Sequence, residues 1–344
     1  MTLQASGPIS FSNIINEFGS PPGINLGAYR VSQTIAQLTL PLDTGIPTSG
    51  AISFSSFYSK KLNTVVAIGN AARIAARTRY NNNTDTFCIG GFKTRPASSA
   101  NTKVWVHVYG TVSSNIGSGS APNRNYCSMF TGGWEGGTDL RVDIGPSGFI
   151  SGAGGNGGRG GDSGYFIANA GGGGGFGTSG LCLDYQPVTV TNRGRIQGSG
   201  GGGGGGGAAY SENRRSRRRD IRAGAPGGGG GGGYGIPAGA GGGAGGGYYQ
   251  LRAGINRYAA GGGSGSSTGN GGGGVGAILR DGFAVGGNGG GGQANGGAGS
   301  GGLVGAGGAA GASGFGIIVT NNGSGVSITG NGIIGGVAYS TSPS

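Results

Sequence analysis

The sequence predicts a mainly β chain with much irregular structure, in three parts: a small N-terminal α/β module over residues 1–62, an antiparallel β-sandwich over 63–150, and a polyglycine-II helix bundle with loops over 151–344. Three observations lead there. Only 18 of the 94 glycines fall in the first 150 residues, so the chain changes character near residue 150. Residues 152–162 read Gly-Ala-Gly-Gly-Asn-Gly-Gly-Arg-Gly-Gly-Asp, with Ala153, Asn156, Arg159 and Asp162 three apart and glycine everywhere between. Period-two runs of β-branched and aromatic residues, separated by Asn, Gly, Pro and Ser clusters, occupy 63–150.

The N-terminal module rests on a repeat. Ser6-Gly-Pro-Ile-Ser-Phe-Ser12 returns as Ser49-Gly-Ala-Ile-Ser-Phe-Ser55, 43 residues on with one mismatch. Ile9 and Phe11 alternate with serine, as do Ile52 and Phe54, so each pair suits one face of a short strand. Ser12 or Asn13 then caps a brief helix through Phe18, and Val31 to Leu38 is a second helical candidate before Pro41. With Phe57, these four apolar residues form a small core or a docking surface.

Thr64 to Ile68, Thr86 to Ile89, Lys103 to Tyr109 and Leu140 to Ile144 read as strands. Asn81-Asn-Asn83 is a turn, and Arg73 to Arg77 fits either strand or helix. His107 sits in the alternating Lys103-Val-Trp-Val-His-Val-Tyr-Gly110 pattern and is expected to face outward from a sheet. A second repeat follows: Val142, Ile144, Gly148, Ile150 and Gly152 recur as Val188, Val190, Gly194, Ile196 and Gly198, and again as Val326, Ile328, Gly332, Ile334 and Gly336. Each copy looks like a β turn that starts or ends a glycine excursion.

The glycine tracts have a period that neither α-helix nor strand shares. The left-handed polyproline-II conformation repeats every three residues, at about 3.1 Å rise, without internal hydrogen bonds. Chains bare of side chains can lie close enough for N–H and C=O groups to pair between neighbours, so that glycine itself becomes the core. The register recurs through Asn288, Ala294, Ser300, Leu303, Ala306, Ala309 and Ala312. Collagen does not fit, because the glycine register breaks and only 12 prolines occur. A flexible low-complexity linker is the other reading of such composition. If the runs are rods, the ordinary segments Ala208 to Ala225, Tyr234 to Pro237, Tyr248 to Ala260 and Val275 to Val285 are the loops where rods reverse.

Charge points to anionic partners. The net charge of +12 comes mostly from arginine, 19 against 4 lysines, and six of the arginines crowd Arg214 to Arg222 between a run of eight glycines and a run of seven. A solvated, solubilising loop is the plain alternative. Cys88, Cys127 and Cys182 are widely spaced, with His107 the single histidine, so no metal site and no cofactor is expected and the thiols are read as buried and reduced. No run reaches the roughly 18 apolar residues of a membrane span, and the first ten residues lack a signal-peptide pattern.

The opening Gly7-Pro-Ile-Ser-Phe-Ser-Asn-Ile-Ile-Asn-Glu-Phe-Gly19, the Leu26-Gly-Ala28 segment and the closing Ser49-Gly-Ala-Ile-Ser-Phe-Ser-Ser-Phe-Tyr58 resemble the N-terminal region of many bacteriophage tail-fibre and baseplate proteins. Val188-Thr-Val-Thr-Asn-Arg-Gly-Arg-Ile-Gln-Gly198, followed by polyglycine, resembles glycine-rich tail-fibre tips. The alternation of glycine runs with variable loops is similar in plan to the distal adhesins of T-even-like phages, in which a polyglycine-II bundle presents receptor-binding loops. The N-terminal domain departs from those adhesins. The resemblance implies a tail component of the virion, made in the host cytoplasm. Residues 1–62 would be a virion attachment module docking on other tail or baseplate proteins through Ile9, Phe11, Ile52, Phe54 and Phe57, and a homotrimer would suit a fibre. The loops would meet a host surface glycan, lipopolysaccharide or outer-membrane protein.

Glycine rods offer backbone and little else, so discrimination falls to the Tyr and Arg of the loops, residue types enriched at recognition surfaces. The expected receptor contacts are Tyr210, Arg214, Arg215, Arg217, Arg218, Arg219, Tyr248, Tyr249, Arg252, Arg257 and Tyr258. Three other functions compete. A purely structural tail or baseplate part would use the glycine domain only as a tough tip. RNA binding through a glycine-arginine-rich tail is weakened by a single Arg-Gly-Gly, at Arg159, and by the lack of an RNP-like aromatic motif. An enzyme is not expected: Glu135, Asp139 and Asp143 are spaced by four, but in a Gly-Gly-Trp-Glu-Gly-Gly context that is no helix, so they read as a solvated turn and strand edge rather than a glycosidase pair.

Overall fold

The computed structural model describes residues 3–20, 25–35, 38–72, 74–75, 84–88, 103–114, 126–134, 136–164, 166–215, 219–247, 249–250, 255–257, 259–279, 284–285, 287–290, 297, 300–301, 303–320 and 323–339. Its β-rich stretches each supply three short strands, the first two joined by a tight corner. The corners turn the chain onto a new face instead of reversing it. Strands Asn63–Ile68, Lys103–Val108, Asp139–Ile144, Val188–Asn192 and Val326–Gly330 therefore stack in parallel on one face. Ala71–Ala72, Thr111–Ser113, Phe149–Ser151, Arg195–Gln197 and Ile333–Ile334 stack on a second face. Ile74–Ala75, Cys127–Phe130, Ser179–Leu183, Ile317–Val319 and Val337–Tyr339 stack on the third. The antiparallel sandwich expected for 63–150 is thus wrong: the region holds the first coils of a five-coil, three-faced parallel stack that runs on to Tyr339. Among the described residues, the strand that pairs antiparallel on this stack is Thr84–Cys88, against Asn63–Ile68.

Hydrophobic columns hold the coils in register. Val66, Val106, Val142, Val190 and Ile328 are consecutive partners on the first face. Val112, Ile150, Ile196 and Ile333 form the second column, and Met129, Leu181, Ile317 and Val337 the third. All belong to one core cluster, and each fully buried aliphatic side chain contributes about 1.5–3 kcal/mol. The Val142, Val188 and Val326 repeat is three successive coils, with two corrections. Val188 pairs with Leu140, because the corner between Ile144 and Phe149 is two residues longer than that between Asn192 and Arg195. Ile333 rather than Ile334 enters the core, and Ile334 is 38% exposed.

Both glycine excursions leave from the same corner of adjacent coils. Residues 152–178 separate Phe149–Ser151 from Ser179–Leu183, and 198–316 separate Arg195–Gln197 from Ile317–Val319. They emerge side by side and hydrogen bond every third residue: the N–H groups of Gly155, Gly158 and Gly161 donate to the carbonyls of Gly200, Gly203 and Gly206. The N–H groups of Gly171, Gly174 and Gly177 donate to Ala306, Ala309 and Ala312, again in steps of three. Successive residues face different neighbours. Runs with no side chain at all, 201–207 and 227–233, are buried throughout, while the tracts with one side chain in three lie at the margin, where Arg159, Ala306 and Ala309 are exposed.

The N-terminal module has a helix, Phe11–Phe18, and a 3-10 turn, Phe54–Phe57, with a capping box at each start, on Ser10 and Ser53. The repeated segments are these two capped starts, and the rings of Phe11 and Phe54 meet edge to face at 5.2 Å. No strand forms around Ile9 or Ile52, and Ser32–Ile35 is a strand paired with Leu38–Pro41 instead of a helix. Ile9, Phe11, Ile52, Phe54 and Phe57 share one cluster with Phe18 and Tyr29, and this cluster packs on Val65 and Trp105 of the coil stack. Glu17 accepts the Leu62 N–H at 2.9 Å. Cys127 and Cys182 are buried with their sulfurs 2.7 Å apart, and the Cys88 side chain lies outside the described residues. Among the described residues no helix is long and apolar enough to cross a membrane.

Candidate functional site

The rods have two unlike ends. At one, the turns touch the coil stack: Ser114 donates to the Ile236 carbonyl at 3.1 Å, and Gln197 Nε2 to the Ser267 carbonyl at 2.9 Å. The Tyr234 to Pro237 insertion lies at this end, away from the other loops. At the opposite end the remaining loops meet. Tyr249–Gln250, Arg219–Ala225, Ala209–Arg215 and Leu303–Val304 form one four-stranded sheet, and Ile255–Arg257, Ile278–Leu279, Ala284–Val285 and Ser300–Gly301 another packed against it. A hairpin of Ser163–Gly164 and Ile167–Ala168 packs on the first sheet.

Expected receptor residues fall out as follows. Arg214, Arg215 and Arg219 lie in a long hairpin at this tip, with Arg214 opposite Asp220, Glu212 opposite Arg222 and Arg215 opposite Arg219 in the register. Tyr249 and Arg257 are in tip strands. Arg217, Arg218, Tyr248, Arg252 and Tyr258 lie outside the described residues. Tyr210 is a correction: it is 2% exposed and its ring lies 5.3 Å from Phe166, so it packs the base of the hairpin. The sequence reading missed Phe166, Ile167 and Val304, which are 50%, 48% and 50% exposed at the tip. Phe166 has φ +55°, a left-handed backbone that is an outlier for a bulky residue. Its signal was present, since Tyr165-Phe-Ile167 interrupts two glycine tracts.

Two of the carboxylates considered for catalysis, Asp139 and Asp143, form ion pairs. On the outer surface of the first face, Trp105, Arg141, Asp143, Thr189, Thr191 and Arg193 line a groove of about 270 Å³. Asp143 Oδ2 lies 2.7 Å from Arg193 and 3.1 Å from Nδ1 of His107, and Asp139 pairs with Arg141 at 3.4 Å. Glu135 lies outside the described residues. His107, expected to face solvent, is 1% exposed because these neighbours cover the outer surface.

Burial alone would raise the Asp143 carboxyl, but the hydrogen bonds from His107 and Arg193 outweigh it and hold it below its ordinary value of 3.8. A depressed carboxylate stabilises the fold above its unfolded pKa, and that contribution is lost as pH falls through the folded value. Asp184, raised by burial, has the opposite sign. Melting Asp143→Asn beside the wild type from about pH 6 to about pH 2 separates the two. The wild-type advantage should shrink below about pH 4; an advantage constant with pH rules out this coupling.

No protein-family model and no curated protein matches the chain. Among solved structures it is similar, at 18% identity and a TM-score of 0.33, to the gp37-gp38 adhesin tip complex of the bacteriophage S16 long tail fiber, with 97% of this chain and 99% of that chain covered.

Proposed function

We propose that this chain is a bacteriophage tail-tip protein in which a polyglycine-II bundle presents a receptor-binding tip to the host surface. Residues 1–62 attach it to other tail proteins, consistent with the resemblance of its opening segment. The observation that carries this reading is the convergence of the excursion loops on the end of the bundle away from the coil stack, where Phe166 and Ile167 stand exposed on a strained turn. Strain at an exposed apolar residue suits a contact that repays it on binding. The arginine hairpin beside it suits phosphate or carboxylate groups. A purely structural tip needs neither feature.

Binding of the purified chain to lipopolysaccharide-bearing cells tests this. Phe166→Ser should weaken binding about tenfold or more, since burying one such ring is worth about 1.5–3 kcal/mol. Replacing the six arginines of Arg214 to Arg222 by serine should leave folding intact, lower binding and remove its salt sensitivity. Unchanged binding in both variants would leave the structural tip as the better reading. Steep salt dependence with RNA in place of cells would favour the nucleic-acid alternative.

A further inference from the structure

Among the described residues, one of the three edges is covered at the first coil of the stack and none at the fifth. At the first coil, Asn63–Ile68 is covered by antiparallel Thr84–Cys88, and the N-terminal module packs over Val65 and Trp105. At the fifth coil, Val326–Gly330, Ile333–Ile334 and Val337–Tyr339 are the terminal strands of all three sheets, and among the described residues none has a partner on its outer edge. Val326, Ile328, Ile333 and Val337 close the core cluster while staying partly exposed, and Tyr339 is 64% exposed.

Exposed edges are normally protected by charge, proline or a bulge. This edge has none of the three. Residues 282–344 contain no charged side chain and no proline before Pro343, and the terminal strands pair without a register shift.

We infer that the fifth coil is an interface for a second copy of this chain, joined end to end about a two-fold axis. Three edges face outward together, so the partner must offer three edges of the same spacing. Another fifth coil does. The first coil cannot offer all three, because its Asn63–Ile68 edge is taken by Thr84–Cys88 and only those of Ala71–Ala72 and Ile74–Ala75 end their sheets, so association closes at two copies instead of growing into a filament. The two-fold lays Val326–Gly330 antiparallel to its own copy with Ile328 opposite itself, an ordinary ladder. Two identical ends repel each other when charged, and the nearest charges here sit one coil back: Arg193 is paired with Asp143, and Arg195 lies over the Phe149 ring at 5.2 Å. The inference is independent of what the tip binds.

Sedimentation equilibrium of the full chain should give twice the chain mass at high concentration and dissociation on dilution. Ser327→Lys with Thr329→Lys places two charges at exposed positions of the edge strand and should weaken association at least a hundredfold. Thr189→Lys, exposed one coil further in, should leave it unchanged. In the wild type, amide exchange over residues 326–330 should slow on association, a readout that needs no variant. A wild-type monomer at every concentration, a dimer indifferent to the edge lysines, or exchange at 326–330 unaffected by concentration would each overturn the proposal.

Discussion

Gly204→Ala should disrupt the glycine bundle, while Gly243→Ala should leave it intact or slightly firmer. A Cβ on Gly204 would sit 1.8 Å from the Gly308 carbonyl oxygen and 2.4 Å from its carbon, both backbone atoms of an adjacent rod. Overpacking in ordinary cores costs about 1–3 kcal/mol because side chains can yield. Here a rod must move and break a ladder of hydrogen bonds, among them Gly308 N–H to the Gly205 carbonyl at 2.7 Å, so the cost should reach about 3 kcal/mol or more. A Cβ on Gly243 meets nothing within 4 Å, and there the lost freedom of the unfolded chain should stabilise by about 0.4–1 kcal/mol. Denaturant midpoints and amide exchange over 198–208 and 305–314 read both. Equal effects from the two substitutions would mean that close approach of the rods is not what selects glycine.

Asp43→Ala should detach or unfold the N-terminal module. Lys103 projects from the second coil into that module and pairs with Asp43, with the two side chains 5% and 3% exposed. Burial pushes the Lys103 ammonium below its ordinary value, opposed by the Asp43 charge and hydrogen bond. Asp43 also accepts the N–H groups of Thr44 and Lys61. Removing the carboxylate strands a buried cation and two backbone donors, at a cost of about 3–5 kcal/mol. Asp43→Asn with Lys103→Met removes both charges and should recover most of the loss, because the penalty lies in the unpaired charge. If the double variant melts no higher than Asp43→Ala, the pair is not what couples module to stack.

The glycine lattice shows how much a sequence can carry. A side chain at every third residue marks a rod with one free side, as at Ala306, Ala309 and Ala312, and an unbroken run marks a rod enclosed on every side, as at 227–233. The structure draws this distinction because close approach of backbones excludes a Cβ; the sequence pointed only to glycine itself as the core. Ile9, Phe11, Ile52 and Phe54 do join the core cluster of the N-terminal module, each partly buried, but the repeated Ile-Ser-Phe-Ser pattern suggested strands where the structure has two capped helical starts.

Direction was not readable. Alternation at Val104, Val106 and Val108 reports which face of a strand is buried, and it is the same whether the neighbouring strand is parallel or antiparallel. Corners such as Tyr109-Gly110 and Arg193-Gly194 have the composition of hairpin turns, yet they send the chain to a new face, and only the long return through a full coil makes the strands parallel. The burial of His107 and Tyr210 was hidden likewise, since the residues that cover them, Asp143, Arg193 and Phe166, lie 36 to 86 and 44 residues away in the chain. The amino-acid sequence by itself determined where backbone must approach backbone and which strand faces carry the apolar columns. The tertiary structure decided which strand lies beside which and which loops share one end, because those contacts join segments whose separation leaves no local mark.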